Sequence, residues 1–336
     1  MKIKNFDINK KVFIIAEIGN NHEGSLKVAK KLVNLAAKAG VDAVKFQTFK
    51  TEEFVQESNK KRFKQLKKFE LSFKNFQILK DLAHKKKLKF ISTPLDFSSA
   101  EFLIKNADII KIASGDNNFL PMIQRILKSK KPMIISTGMT NFIDIKNLIK
   151  IILKYLKKKK ALEKIAFLHC VTSYPVELKY ANINSIPYLI KNLNFLIGYS
   201  DHTIGPEACL GAVALGAKII EKHFTIDKNF SKFRDHALSA DFLELKNLVS
   251  SIRKMEKMKG KFEKVIQSPE KKMIKIIRRG VYAKNNIKSQ EKITLNNSTF
   301  LRPAKTRNFL DLLDYIGKKT KKNIKKNQSL NKLNLC

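Results

Sequence analysis

Eight short apolar, β-branched runs in this 336-residue sequence each lead into side chains that can do chemistry. The first, Phe13–Ile18, contains Glu17 and is followed by Gly19-Asn20-Asn21-His22. The second, Ala43–Gln47, carries Lys45 and Gln47 two residues apart, hence on one face of a strand. Lys89–Thr93 closes on Ser92-Thr93, Ile109–Ile112 holds Lys111 with Ser114 and Asp116 just beyond, and Met133–Ser136 ends on its own hydroxyl. Ile165–His169 leads to Thr172, Ser173 and Tyr174, Phe195–Tyr199 leads to Ser200-Asp201-His202, and Ile219–Phe224 contains Glu221 and His223. Two buried ammonium groups among these need anions to offset their desolvation. A small substrate bearing both phosphate and carboxylate supplies them, and hydroxyls with backbone N–H groups cradle the phosphate. His202 and His223, as neutral imidazoles on neighbouring strands, can hold a divalent metal with positions left open for water and substrate. Such a metal polarises a carbonyl.

Helical patterns separate the eight runs. One stripe joins Val28, Ala29, Leu32, Val33 and Leu35/Ala36 and is stopped by Gly40; others span 73–86, 98–105, 120–128, 144–157, 183–191 and 206–215. A last one runs from Ala240 to about Met258, with Ser239 placed to cap it and Ser98 placed to cap an earlier one. Strands alternating with helices eight times predict a (β/α)8 TIM barrel over residues 1–258, with the active site at the C-terminal strand ends. A doubly wound sheet is disfavoured, because no Gly-x-Gly-x-x-Gly follows the first strand. A Lys-rich linker is expected over 259–277, and then a small, irregular, β-rich module over 278–336.

Composition excludes several classes. The longest mostly apolar stretch, Ala208–Leu215, is far short of the ~20 residues that span a bilayer. Three cysteines (Cys170, Cys209, Cys336) with no C-x-x-C pair leave no disulfide scaffold and predict a reduced, cytoplasmic enzyme. The net charge of +39, from 68 basic and 29 acidic residues, invites a nucleic-acid reading. Only eight of the 68 are Arg, the better bidentate phosphate reader, and the lysines lie mostly on the polar faces of helical segments. No specific nucleic-acid partner and no membrane are therefore expected.

The strings AEIGNNHEG (Ala16–Gly24), KFQT (from Lys45), ISTP (from Ile91), KIASGD (from Lys111), STGM (from Ser136) and LHC with YP (Leu168–Pro175) resemble the sialic acid synthase family. So do GYSDHT (from Gly198), EKHFT (from Glu221), DHALS (from Asp235) and a late LRP (from Leu301), in order along nearly the whole chain. The resemblance implies a transferase of sialic acid and polysaccharide biosynthesis. It joins phosphoenolpyruvate to an N-acetylated amino sugar, giving a nine-carbon 2-keto acid with phosphate released by C–O cleavage. It also implies a barrel followed by an antifreeze-like (SAF) domain. By motif, Lys45 and Lys111 contact the phosphoenolpyruvate carboxylate; Thr93, Ser114, Ser136 and Ser200 bind its phosphate; His202 and His223 ligate the metal, usually Mn2+. Glu17, Asp116, Tyr174 and Asp235 face the sugar or the reacting centre, with Glu17 and Asp116 the acid/base candidates. Arg302 reaches the partner's sugar site across a domain-swapped homodimer. Asp116 stands where the best-known neuraminate synthases have Glu, and Thr172 where an Asn helps hold phosphate. The resemblance implies as acceptor N-acetylmannosamine or a diacetamido-trideoxy hexose leading to legionaminic or pseudaminic acid.

Plainer roles compete. His84 and His169 read as satisfied core residues and Cys170 and Cys209 as small packed hydrophobes, while His22 and His236 stay open between loop structure and substrate contact. Two rival classes are a condensing enzyme for an unacetylated phosphosugar and a non-catalytic polyanion-binding barrel. The first would want extra arginines for a second phosphate, of which the barrel mouth offers few.

Overall fold

A computed structural model describes Ile8 and residues 11–304, 314–331 and 335–336. Eight parallel strands close into a barrel in chain order: β1 (Phe13–Gly19), β2 (Ala43–Thr48), β3 (Lys89–Pro94), β4 (Ile109–Ile112), β5 (Met133–Ser136), β6 (Ile165–Cys170), β7 (Leu196–Asp201) and β8 (Ile219–His223). β1 pairs with β8 to complete the ring. Helices cover the outside, as expected for parallel strands buried on both faces.

The two-residue period of a strand divides the core in two. Ile14, Ala16, Val44, Phe46, Phe90, Ile110 and Ile135 point outward and pack against the helices. Phe13, Ile15, Ala43, Ile91, Ile109, Ile134, Ala166, Leu168 and Ile219 point inward and fill the lumen. Continuing inward by twos from these gives Glu17, Lys45, Thr93, Lys111, Ser136, Cys170 and Glu221. The lumen is therefore an apolar plug with a polar cap at the C-terminal end.

Local signals account for the helix ends. Ser25 accepts a hydrogen bond from the Val28 N–H at 3.3 Å to start the helix Leu26–Ala39, and Gly40 at φ 86° ends it. Two expected caps are corrected. Asp96, not Ser98, caps Phe97–Asn106, and the Ser98 hydroxyl donates to Glu53 instead. Asp241, with Glu244 in a capping box, starts Phe242–Lys259, while the Ser239 hydroxyl donates to the Asp235 carbonyl. In both places an Asp side chain reaches the free N–H groups and the serine is spent elsewhere.

The chain divides into two compact units, 1–260 and 261–336. The second holds the helix Ser268–Ile277, inside the stretch expected as linker, and an antiparallel pair, β9 (Gly280–Ala283) with β10 (Ser298–Leu301). Isolated bridges such as Ile287 to Ile324 extend the β structure, and Val281, Ile287, Ile293, Tyr315 and Ile324 form its own core. The expected module over 278–336 includes positions outside the described residues. No described helix is long and apolar enough to cross a membrane.

Candidate active site

Strand register sets the floor of the site. Glu17 of β1 lies opposite Lys45 of β2 on one side and His223 of β8 on the other. Gln47 lies opposite Thr93, and Ser200 opposite Glu221. These side chains line one cavity of about 400 Å3 at the C-terminal mouth, together with Lys111, Ser114, Asp116, Ser136, Thr172, Tyr174, His202 and Asp235. Thirteen of the fourteen expected site residues thus meet in one place. The fourteenth, Arg302, is exposed just after β10 in the second unit.

The floor is a buried quartet of charges. Lys45 Nζ is 2.8 Å from Glu17 Oε2 and 3.5 Å from Glu221 Oε1, and Lys111 Nζ is 3.7 Å from Glu221 Oε1. Ser200 donates to Glu221 Oε1 at 3.0 Å, and Lys111 donates to Ser136 Oγ at 2.6 Å. This corrects the expectation that a substrate must provide the first counter-charges for the two lysines. Glu17 and Glu221 already do so, and Glu221 was passed over as a site residue although its spacing from His223 put both on one face. Burial raises the Glu17 carboxyl above the usual carboxylate range, with Lys45 opposing. Burial also disfavours ionised Glu221, but Lys111 and Lys45 prevail and hold it below that range. Two carboxylates side by side are thus pushed apart in acidity, the arrangement acid/base work requires. Burial likewise lowers Lys111 and raises Asp116.

The hydroxyl cradle depends on a glycine. Gly138 N–H donates to Ser114 Oγ at 3.1 Å, and a Cβ on Gly138 would sit 2.3 Å from Thr172 Oγ1 and 2.6 Å from Ser114 Oγ. Only a bare backbone lets the β4, β5 and β6 loops approach this closely. Thr93 Oγ1, Glu221 Oε2 and His223 Nδ1 are buried without a hydrogen-bond partner, so polar atoms remain for a ligand to satisfy.

The two imidazoles stand 5.3 Å apart between ring centroids, with Tyr174 4.2 Å from His202. His202 Nδ1 lies 2.8 Å from the Val171 carbonyl, which makes it the N–H donor and leaves Nε2 with the lone pair. Burial, then the neighbouring His202, hold His223 well below the usual imidazole range, so it is neutral. Among the described residues no third His, Cys, Asp or Glu completes a ligand cluster. His202 and His223 could thus offer a divalent cation two imidazole nitrogens, the rest of its ligands having to come from outside this pair.

The remaining histidines and cysteines sort as follows. His22 is buried, with Nδ1 accepting from the Gly24 N–H at 3.0 Å, and His236 Nδ1 is 2.6 Å from Thr225 Oγ1. Neither lines the cavity, so both serve loop structure. His169 is buried and bonded to the Ala181 carbonyl at 2.9 Å, as read from sequence. His84 is not a core residue: it pairs with Asp108 at 2.8 Å on a half-exposed surface. Cys209 is packed beside Asp201, but Cys170 lines the cavity 3.9 Å from His202 Nδ1. Asn20 and Gln47, noted at the ends of the first two runs, also line it, as do Arg62, Phe233 and Arg234, to which the sequence reading assigned no chemistry.

Residues 32–264 match the model of the NeuB family. The N,N'-diacetyllegionaminic acid synthase of Campylobacter jejuni subsp. jejuni is 38% identical over 95% of this chain and 98% of its own length. A pseudaminic acid synthase of that organism is 33% identical over 97% of each. The solved structure of the N-acetylneuraminic acid synthetase from Leptospira borgpetersenii serovar Hardjo-bovis superposes with a TM-score of 0.76 at 36% identity, covering 82% of this chain and 94% of that one. A family match over residues 32–264 and a relative 38% identical over nearly the full length of both chains show that the chain belongs to the NeuB family.

Proposed function

We propose that the chain condenses phosphoenolpyruvate with an N-acetylated amino sugar to a nine-carbon 2-keto sugar acid, with release of phosphate. The observation that carries this is the floor itself: two buried lysines beside two carboxylates of opposed acidity, under a hydroxyl cradle with unsatisfied polar atoms. The named functions of the relatives, legionaminic, pseudaminic and N-acetylneuraminic acid synthesis, are the same class of reaction.

In this reading Lys45 and Lys111 bind the carboxylate, and Thr93, Ser114, Ser136, Ser200 and Thr172 hold the phosphate. C3 of the enol attacks the open-chain aldehyde, and positive charge develops at C2. Ionised Glu221 and Glu17 stabilise that charge electrostatically. A carboxylate, Glu17 or Asp116, takes the proton of the water that adds to C2, and C–O cleavage then expels phosphate. Tyr174 and Asp235 orient the sugar. A divalent cation such as Mn2+ on His202 and His223 would polarise the acceptor carbonyl when bound. The second unit is proposed to be an SAF domain whose Arg302 completes the sugar site of a partner subunit in a swapped homodimer, in the cytoplasm.

Phosphate release from phosphoenolpyruvate, with a panel of amino sugars and Mn2+, tests the proposal. His223→Ala and Lys111→Ala should each lose nearly all activity, as should addition of chelator. Undiminished release in the variants, or anion binding without turnover of any acceptor, would overturn it.

A further inference from the structure

Asn117 lies behind the hydroxyl cradle rather than in it. It follows the short turn Ser114–Asp116, is buried, and does not line the ligand cavity. Its side-chain amide donates to the Ser136 carbonyl at 3.3 Å and to the Gly138 carbonyl at 3.0 Å, which uses both of its N–H groups. Between those two residues Thr137 is fastened to β6, its N–H and its hydroxyl both donating to the Leu168 carbonyl, at 2.9 and 3.0 Å. On the other side the β4–β5 ladder stops at Ile112 and Ile135. Past that point, among the described residues, three side chains tie the end of β5 to the β4 side: Lys111 on Ser136, Ser114 on the Gly138 N–H, and Asn117. Lys111 and Ser114 face the ligand cavity. Asn117 faces a second cavity of about 470 Å3, lined also by Thr140, Asn147 and Leu148.

We propose that Asn117 is a positioning residue for phosphoenolpyruvate: from behind the site it fixes the turn after β5, so that the Ser136 hydroxyl and the Ser114–Gly138 pair meet the phosphate at one spacing. This role rests on the condensation reading, which puts the phosphate at that cradle. Lys111, Ser114 and Ser136 are the groups that the substrate's carboxylate and phosphate engage, so the ties they make across the β4–β5 gap loosen as it binds. Asn117 touches no substrate and keeps its bonds throughout. Without its amide, the Ser136 and Gly138 carbonyls lose a buried donor, and the 470 Å3 cavity behind them gives the turn room to move. Hydrogen bonds weaken steeply away from their preferred geometry, so a small shift of the turn weakens several contacts to the anion together.

The test uses the full chain with Mn2+, as wild type, Asn117→Asp and Asn117→Ala. Asn117→Asp keeps the shape of the side chain but turns a carboxylate, which has no donor, toward the two carbonyls. Binding of phosphoenolpyruvate alone is measured by titration calorimetry, and steady-state rates are measured with the amino sugars of the panel above. In both variants the Kd and the KM for phosphoenolpyruvate should rise on the order of tenfold or more, the change expected when one or two hydrogen bonds no longer hold the cradle. The KM for the acceptor and kcat at saturating phosphoenolpyruvate should stay within about twofold of wild type, a split that a general lesion would not produce. Asn147→Ala, which alters the same rear cavity without touching the turn, should match wild type. Wild-type affinity for phosphoenolpyruvate in both variants, an equal rise in both KM values, or failure of both variants to fold would overturn the positioning role and leave the condensation intact. Binding that is weakened in the variants, with no acceptor turned over even by the wild type, would uphold the role at the cradle and overturn the condensation. A wild type that does not bind phosphoenolpyruvate would overturn both.

Discussion

His22 should make the barrel acid-sensitive in a window set by its burial. The ring is 1% exposed, packs 6.1 Å from Phe46, and holds the turn after β1 through the Gly24 N–H. Burial pushes its pKa from 6.5 down to about 4. The unfolded chain, with the ordinary value, binds a proton first as the pH falls, so stability rises with pH across this interval. Above the unfolded value both states are neutral and nothing changes. Between the two values only the unfolded state gains the proton, and below the folded value the loss is complete. A shift of this size corresponds to roughly 3 kcal/mol. His22→Asn keeps an acceptor for the Gly24 N–H but does not titrate. Urea unfolding of both proteins near neutrality and at about pH 4.5, followed on the barrel transition, gives the comparison. The wild type should lose most of that ~3 kcal/mol relative to the variant, since the other titrating groups are common to both. An advantage of wild type over variant that is the same at both pH values would refute the reasoning.

Other substitutions separate site from scaffold. Gly138→Ala puts a methyl within 2.3 Å of Thr172 Oγ1, so the KM for phosphoenolpyruvate should rise about tenfold or more in steady-state assays. Glu221→Gln removes the carboxylate shared by Lys45 and Lys111, and kcat should drop on the order of 100-fold with the circular dichroism spectrum unchanged. Lys222→Met strands Asp201, whose carboxylate it meets at 2.6 Å, and should cost about 3–5 kcal/mol in denaturant unfolding. Arg302→Ala should raise the KM for the acceptor while leaving that for phosphoenolpyruvate unchanged.

The strands were legible because polar residues interrupt the apolar runs in step with a two-residue period, and lumen and tip residues share that step. Glu17, Lys45, Lys111, Ser136 and His223 follow from it directly. Pairing was less visible. That Glu221 sits between both lysines depends on the curvature of the closed ring, which no single strand announces. Arg62 and Arg234 are distant in sequence and meet only through Phe69 and Phe233, a tertiary contact without a local pattern. The misplaced caps, Ser98 and Ser239, had the right chemistry for a helix start, and a neighbouring Asp filled each position. His84 faces Asp108 across two helix ends, a partnership invisible to helical periodicity.

The cavity is built from two kinds of material. Its base belongs to strands fixed by the ladder around the ring, while Arg62, Phe233 and Arg234 ride on connections that could be lengthened, shortened or rewritten with the ladder untouched. Descendants of such a chain can therefore trade one sugar for another by editing the entrance, while the bond-making apparatus is inherited whole.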